Sequence, residues 1–576
     1  MLYQPIYDIA EICYRKSIRD VILCPGSRCA PLTLAFTRHP HIRTRTVSDE
    51  RSAGFIALGL AQALQAPVAI VCTSGTAAYN LAPAIAEAFF SNTPLIVLTA
   101  DRPAEWIAQH DGQTIYQREL YGRHVKHYYE LPQEYEHPDS VWAINRIIND
   151  AINLSIAGPQ GPVHINAPFR EPLYPPKGED VFQYSDVRVI DATPHDVVLS
   201  NEVLTMVSDE WKSYHNVLIV AGQQPPQNDL VTSLSRFRQK HPVPLVHDVI
   251  SNLHGVGDTV AHSDLFLGQA PPNVKEMLRP DLLITFGNSL ISKNLKLFLR
   301  KYRPQRHWHI QDCGPVADTF GSLTNIIRTT PHQFIQFLET LDVADNFEGQ
   351  KQKNYQSLWE AEERRALRAL EDLFAASTDL SELGLVKKLM TYLPAGSNLH
   401  LANSMSVRYA NFVGLGASQS EVRVFSNRGT SGIDGSNSTA VGHALASDKP
   451  NFLVTGDLAF FYDRNAFWHN YPLQNLRILL LNNHGGLIFD ILDGPSSTPE
   501  ADEYFITRQK LSGKKMCEEF GFDHLKVDTT KKIKNLMKDF LTFDGTAKVM
   551  ELESDTKTNR RIIEDLREKI KNSYEL

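Results

Sequence analysis

The chain has 576 residues, 42% of them hydrophobic and 22% charged, which is too long for one core; size alone suggests roughly three to four domains. A formal net charge of −8 disfavours a nucleic-acid partner, which needs a basic face against phosphates, but leaves room for anionic small substrates held by local arginines. The six cysteines are scattered with no metal-ligand spacing, and no apolar run reaches the ~20 residues that span a bilayer, so a cytoplasmic protein with reduced thiols and no membrane span is expected.

The N-terminal MLYQPIYDIAEICYRK breaks its apolar residues with Asp8, Glu11 and Arg15, the pattern of an amphipathic helix and not of a signal peptide. Short β-rich runs then alternate with helical patterns: DVILCPGS, PVAIVCTSG, PLIVLTADRP and GPVHINAP, each leaving its apolar run into Gly, Pro, Ser or Asp. Polar residues therefore gather at the carboxyl ends of strands, where open α/β sheets bind ligands. The Pro-rich, charged passage from Arg170 to Asp186 reads as a linker. A second series follows (NVLIVAGQ, VPLVHDV, DLLITFGNS, HWHIQDC), then a charged helical stretch with Leu358, Ala361, Ala366 and Leu370 roughly on one stripe. The third series is SNLHLANS, VRVFSNRG, NFLVTGDL, RILLLNNHGG and AKVMELES, closed by an amphipathic terminal helix with solvated charges. The expectation is an α/β protein of three doubly wound parallel-sheet domains, at 1–180, 187–345 and 381–576, with a helical connection at 346–380.

Two strand ends in the third series carry chemistry. One apolar run exits into Gly456-Asp457, the other into Asn482-Asn483 with Gly485 beyond; Asp457 and Asn483 are 26 residues apart, room for a crossover helix that returns the chain to the same sheet edge. The Asp457 carboxylate, the Asn483 carboxamide and a carbonyl near Gly485 are hard oxygen donors with one formal charge, a set suited to Mg²⁺ that also takes phosphate oxygens. A helix after Gly456-Asp457 would offer N–H groups to those phosphates. Each motif alone also reads as a helix cap or a turn.

The pair in this order resembles the diphosphate–metal motif of thiamine diphosphate enzymes, with Leu458 where a second glycine usually stands. The resemblance narrows on CPGSRCAPLTLAF, SDERSAGFIALGLA, TSGTAAYNLAPAIAEA, LTADRP, SNRGTSGIDGSNSTAVGHA and GDLAFFYDRNA, which occur in the order found in the MenD-type synthases of menaquinone biosynthesis. It covers essentially the whole chain and is weakest between about 180 and 360. It implies thiamine diphosphate with Mg²⁺ or Mn²⁺ as cofactors, and Asp457, Asn483 and the Gly485 carbonyl as metal ligands. Gly456, Leu458 and Ala459 would accompany them at the diphosphate. Gly429 and Ser431 would approach the cofactor, and Ile433 would prop it in its bent shape. Glu50 would be the catalytic carboxylate, buried beside the aminopyrimidine N1′ so that the imino form can take the C2 proton.

The implied reaction joins 2-oxoglutarate, after loss of CO₂, to isochorismate by 1,4-addition, giving 2-succinyl-5-enolpyruvyl-6-hydroxy-3-cyclohexene-1-carboxylate. Arginine matches carboxylates bidentately and is always charged. By resemblance Ser404 and Arg408 hold the succinyl carboxylate and Arg28, Arg102 and Lys293 face isochorismate, with Arg428, Ser27 and Gln113 as further anion-binding or donor groups. Gly112 stands where many members have Asn, so one expected substrate hydrogen bond is missing or supplied by another group, and Cys29 replaces a usual serine. His484 sits between two expected metal positions without any spacing that makes it a ligand. The resemblance also implies a homodimer or homotetramer with sites between chains. Alternatives are an acetolactate synthase-like decarboxylase or carboligase, disfavoured by the lack of a G-x-G-x-x-G in the middle domain, and a non-catalytic cofactor-binding scaffold, disfavoured by Glu50, Asp457 and Asn483 together.

Overall fold

Runs of aliphatic and β-branched residues closed by turn formers build three parallel sheets in the computed structural model, which describes residues 3–175, 184–193, 197–341, 347–376, 379–491 and 494–575. The first sheet holds β1 (Asp20–Leu23), β2 (Arg43–Thr46), β3 (Val68–Cys72), β4 (Leu95–Asp101), β5 (Tyr128–Glu130) and β6 (Val163–Pro168), in the order β2-β1-β3-β4-β6-β5. The second holds β7 (Val217–Ala221), β8 (Leu245–His247), β9 (Leu282–Phe286), β10 (Arg306–Ile310) and β11 (Asn325–Ile327), ordered β11-β10-β9-β7-β8. The third holds β12 (Asn398–Leu401), β13 (Arg423–Phe425), β14 (Asn451–Gly456), β15 (Leu476–Asn482), β16 (Asp523–Val527) and β17 (Lys548–Glu553), ordered β13-β12-β14-β15-β17-β16. The first and third sheets thus repeat one topology, as expected of three doubly wound α/β domains. In each of these two sheets the order reverses where the first strand meets the third, β1 beside β3 and β12 beside β14, and that is where such sheets open a crevice.

Central strands β3, β4 and β15 are buried along their full length, which is why they read as unbroken apolar runs. Strands β2, β5, β11 and β16 lie at sheet edges and had no such run: β2 is RTRT and largely exposed. Edge strand β13 is covered instead by a side chain from the second domain: Asn252 accepts from Val424 N (2.7 Å) and donates to Val424 O (3.1 Å), pairing the free edge as a strand would.

The N-terminal helix is present as Gln4–Arg15, its Asp8 drawn inward to accept from Ser185 N and Oγ. The passage read as a linker is less free than its composition suggests. Tyr3 donates to the carbonyls of Arg170 and Pro172, and Asn145, Asn149 and Asn153 hold the backbone of Arg188 and Ile190, so both flanks lie against the first domain. Residues 176–183 of that passage fall outside the described residues. The connecting helix runs Phe347–Ala376, but its inward stripe is Tyr355, Trp359, Ala366, Ala369/Leu370 and Leu373; Ala361 faces solvent, because the 3.6-residue period carries the seam past it.

The first and third domains share one continuous apolar core, in which Phe55, Ile56 and Leu60 pack with Val441, Leu453 and Ile478. At its centre the helices Glu50–Leu64 and Ser436–Ala446 cross with no clearance: a Cβ on Gly59 would stand 2.1 Å from Thr439 O, and one on Gly442 2.3 Å from Ile56 O. No helix among the described residues is long and apolar enough to cross a membrane.

Candidate active site

Strands β14 and β15 are adjacent and parallel, with Gly456 opposite Leu481, so Asp457 and the Asn482-Asn483 pair emerge at the same edge as the spacing predicts. Asp457 opens a helix of only six residues, Asp457–Tyr462, and is 2% exposed; burial pushes its carboxyl up from the ordinary value against a Gln509 hydrogen bond that pulls it down. Gln509 Nε2 bridges Asp457 Oδ2 (2.6 Å) and Asn482 Oδ1 (3.1 Å), a role no local pattern announces.

A buried glutamate stands behind each asparagine. Glu551 on β17 accepts from Asn482 Nδ2 (2.7 Å), Gly513 N (3.0 Å), Ser512 Oγ (3.0 Å) and His524 Nε2 (2.7 Å); burial raises its carboxyl, but these donors outweigh burial and bring it down to about 2. Glu382 accepts from Asn483 Nδ2 at 2.8 Å, and burial pushes it up to about 7. Asn483 Oδ1 is buried with no hydrogen-bond partner. An orphaned buried carbonyl oxygen beside a buried carboxylate is the donor set a hard divalent cation completes, so these residues fit the metal. Gly485 is forced by crowding, since a Cβ there would meet Ile506 Cγ2 at 2.8 Å and Ile506 O at 2.9 Å. His484 shapes the turn at φ 62°, its carbonyl accepting from Gln509 N.

At the reversal point of the third sheet, the end of β12 delivers Ser404 in a left-handed conformation (φ 71°) ahead of the helix Met405–Val413. Arg408, one turn along, donates to Ser404 O at 2.6 Å. Arg428, after β13, donates from Nη1 to Asn403 Oδ1 (2.8 Å), and its Nε is buried and unpartnered. Burial, then the neighbouring Arg428 charge, lowers the Arg408 pKa, so the two cations lie near each other. Lys296 joins them: burial and then Arg428 lower its pKa as well. Lys293, the lysine singled out from the sequence, is exposed at the start of the same helix, three residues before Lys296.

The loop that carries Arg428 is held from the first domain. Glu87, wholly buried, accepts from Gly429 N (2.8 Å), Thr430 N (2.7 Å) and Thr430 Oγ1 (2.8 Å), while Asn403 Nδ2 donates to the carbonyls of Asn427 and Gly432. Ser431 (φ 62°) and Ile433, 39% exposed, stand free at the loop surface, so Ile433 is not spent on this chain's own core.

At the edge of the first sheet Arg28 is buried, donating to Phe169 O at 2.9 Å; burial, then the charge of Arg102, lowers its pKa. Arg102 bonds Gly112 O (2.8 Å) and Asp111 (2.9 Å). Ser27 meets Tyr174 Oη at 3.3 Å, and Gln113 is exposed with φ 58°. A Cβ at Gly112 would touch nothing within 4 Å, so the missing side chain there leaves open space. Cys29 is packed, donating its thiol to Gly26 O, and burial raises its pKa, which suits filling and not nucleophilicity. Glu50 opens the helix Glu50–Leu64 behind an Asp49 cap and receives Asn80 Nδ2 at 3.2 Å. It was expected buried; in the single chain it is half-buried, at the domain surface. No hydrogen bond or ion pair joins Glu50, Arg28 or Arg102 to Asp457, Arg408 or Arg428 among the described residues.

Comparison with known proteins bears on these residues. The family model of the N-terminal thiamine pyrophosphate (thiamine diphosphate) binding domain of thiamine pyrophosphate enzymes matches residues 7–120, and that of their middle domain matches residues 196–401. A 2-succinyl-5-enolpyruvyl-6-hydroxy-3-cyclohexene-1-carboxylate synthase of Cytophaga hutchinsonii is 43% identical over 571 residues, covering 99% of this chain and 100% of that protein. Synthases of the same name from Bacteroides thetaiotaomicron and Christiangramia forsetii are each 36% identical, covering 98% and 96% of this chain and the same shares of their own. Similarity at this level over the full length shows the family: the chain belongs to the 2-succinyl-5-enolpyruvyl-6-hydroxy-3-cyclohexene-1-carboxylate synthases, a branch of the thiamine diphosphate enzymes.

Proposed function

We propose that the chain decarboxylates 2-oxoglutarate and adds the remaining four-carbon unit to isochorismate, the step of menaquinone biosynthesis for which its relatives are named. The observation that carries this reading is the pairing of an incomplete cation site (buried Asp457, Asn483 Oδ1 unpartnered among the described residues) with neighbouring cations, Arg408, Arg428 and Lys296, on a protein of net charge −8. When bound, thiamine diphosphate supplies the carbanion chemistry that decarboxylation and carbon–carbon bond formation require. Asp457, Asn483 Oδ1 and the Gly485 carbonyl would hold Mg²⁺ or Mn²⁺, and Gly456, Leu458 and Ala459 would flank the diphosphate. Gly429, Ser431 and Ile433 would brace the cofactor.

Glu50 holds a proton at the cofactor's pyrimidine nitrogen. Ser404 and Arg408 bind the distal carboxylate of 2-oxoglutarate, and Arg428 offers its unpartnered Nε to the acid nearer the reacting carbon. Arg28, Arg102 and Lys293, with Ser27 and Gln113, orient isochorismate. Guanidinium groups already desolvated in the cleft lose little on binding these acids and fix both in register for bond formation. A site completed by two chains places Glu50 of one subunit over Asp457 of another, making a homodimer the smallest active unit, and a cytoplasmic location fits the reduced thiols. The deciding experiment is CO₂ release from 2-oxoglutarate, measured with and without isochorismate. Release dependent on isochorismate supports the reading; equal or greater release from pyruvate sinks it.

A further inference from the structure

An asparagine side chain can ligate a cation only through Oδ1, yet its two ends are nearly alike in shape, and little but its hydrogen bonds decides which way it points. Among the described residues Asn483 has a single side-chain partner, Glu382 Oε1 at 2.8 Å from Nδ2. Glu382 is 0% exposed and is itself held on several sides. Ser381 caps the helix Glu382–Thr391, accepting from Gly384 N at 3.2 Å, so Glu382 begins that helix at a fixed angle. Glu382 N donates to Asn559 Oδ1 (3.0 Å), Asn559 Nδ2 donates to Ser554 Oγ (2.9 Å), and Ser554 Oγ donates back to Glu382 Oε1 (3.0 Å), closing a ring. Oε1 therefore takes two donors, and it remains an acceptor whether or not the other oxygen carries a proton. Only the NH₂ end of Asn483 can face it, which turns Asn483 Oδ1 the other way, where it is buried and unpartnered.

We infer that Glu382 is a positioning residue that locks the Asn483 amide with Oδ1 presented to the divalent cation. The inference rests on the metal assignment proposed above. A ligand oriented from behind by a fixed acceptor needs no reorganisation when the metal arrives, and loss of such outer partners typically weakens metal binding about 10–100-fold.

The test measures the Kd of Mn²⁺ for the full-length chain saturated with thiamine diphosphate, by water-proton relaxation and calorimetry, with folding checked by circular dichroism. Glu382→Leu, which has no acceptor, is expected to weaken Mn²⁺ about 10–100-fold. Glu382→Gln keeps an acceptor oxygen in the same place and should bind Mn²⁺ close to the unaltered protein. Undiminished binding by the Leu variant, or an equal loss in both variants, overturns the inference. If Glu382→Leu does not fold, Ser554→Ala replaces it: weakened Mn²⁺ binding supports the role, and unaltered binding overturns it. Asp457→Asn and Asn483→Ala serve as the reference, since unchanged Mn²⁺ binding in these would remove the metal assignment itself and the inference with it.

Discussion

Among the described residues Glu50 takes a hydrogen bond from Asn80 and is only half-buried, so its carboxylate is open to the cofactor role proposed for it. Exchanging its carboxylate for an amide removes the proton-holding group and changes little else. Glu50→Gln is expected to lower kcat at least about 10²–10⁴-fold with an unchanged unfolding midpoint and retained thiamine diphosphate binding; near-normal turnover would remove it from the mechanism. At this scale the sequence was most readable where a side chain closes a buried strand, as with Asp457 and Asn483, because the strand leaves an unbroken apolar run and the polar residue is conspicuous after it. Gln509 and Glu382 were not readable. Their partners lie 52 and 101 residues away, and nothing in their own neighbourhoods marks them as different from surface amides and acids. Lys296 went unremarked because nothing in the sequence of its helix marks which lysine comes near Arg428.

Elements are joined here by a few buried ions. The loop from Arg428 to Gly435 depends on Glu87, whose carboxylate occupies two backbone N–H groups and a hydroxyl. Glu87→Ala leaves those donors without an acceptor, at a cost of about 1–3 kcal/mol, and frees the loop that aims Arg428. A raised KM for 2-oxoglutarate with a smaller change in kcat is expected; an unaltered KM would show that the loop holds its shape unaided. A second joint is the His262–Glu363 pair, 2.6 Å apart, which ties the connecting helix to the second domain while His262 Nε2 reaches Val413 O at the end of the Arg408 helix. Burial pulls His262 down, but the Glu363 charge outweighs it and the net shift is upward; burial raises Glu363, but His262 outweighs it and the net shift is downward. Neighbouring His247 stays neutral, lowered by burial to about 4. The pair's stabilisation is therefore complete above the ordinary Glu value of 4.5 and below the ordinary His value of 6.5. It is lost on the alkaline side as pH rises through the raised folded value of His262, and on the acid side as pH falls through the depressed value of Glu363. Thermal unfolding of His262→Gln across pH 4–9 should lack that alkaline decline; a profile parallel to the unaltered protein would refute the assignment. The same reasoning shows why strands β2, β5, β11 and β16 escaped sequence reading: an edge strand needs no apolar face on either side, so its residues carry no period.

For the whole molecule, the repeated sheet order of the first and third domains puts the proposed ligand-handling residues at matching strand ends, β1 in one sheet and β12 and β14 in the other. The between-subunit site proposed above makes a direct prediction. Glu50→Gln and Asp457→Ala chains, each inactive alone, should regain activity when co-expressed and mixed, because a hybrid dimer contains one site with both defects and one with neither. Mixtures as inactive as the separate chains would place each site within a single subunit, and light scattering should find no active monomer.

The crossing of Gly59 and Gly442 reaches beyond this one protein to how its relatives can be recombined. A first domain grafted from another synthase must bring a residue without a side chain to the place of Gly59, since the third domain leaves 2.1 Å where a methyl group would stand. Chimeras that inherit the first and third domains from one parent and the second from another should therefore outlast those that split the first from the third. In this chain the units that sequence separates most widely behave as one heritable block.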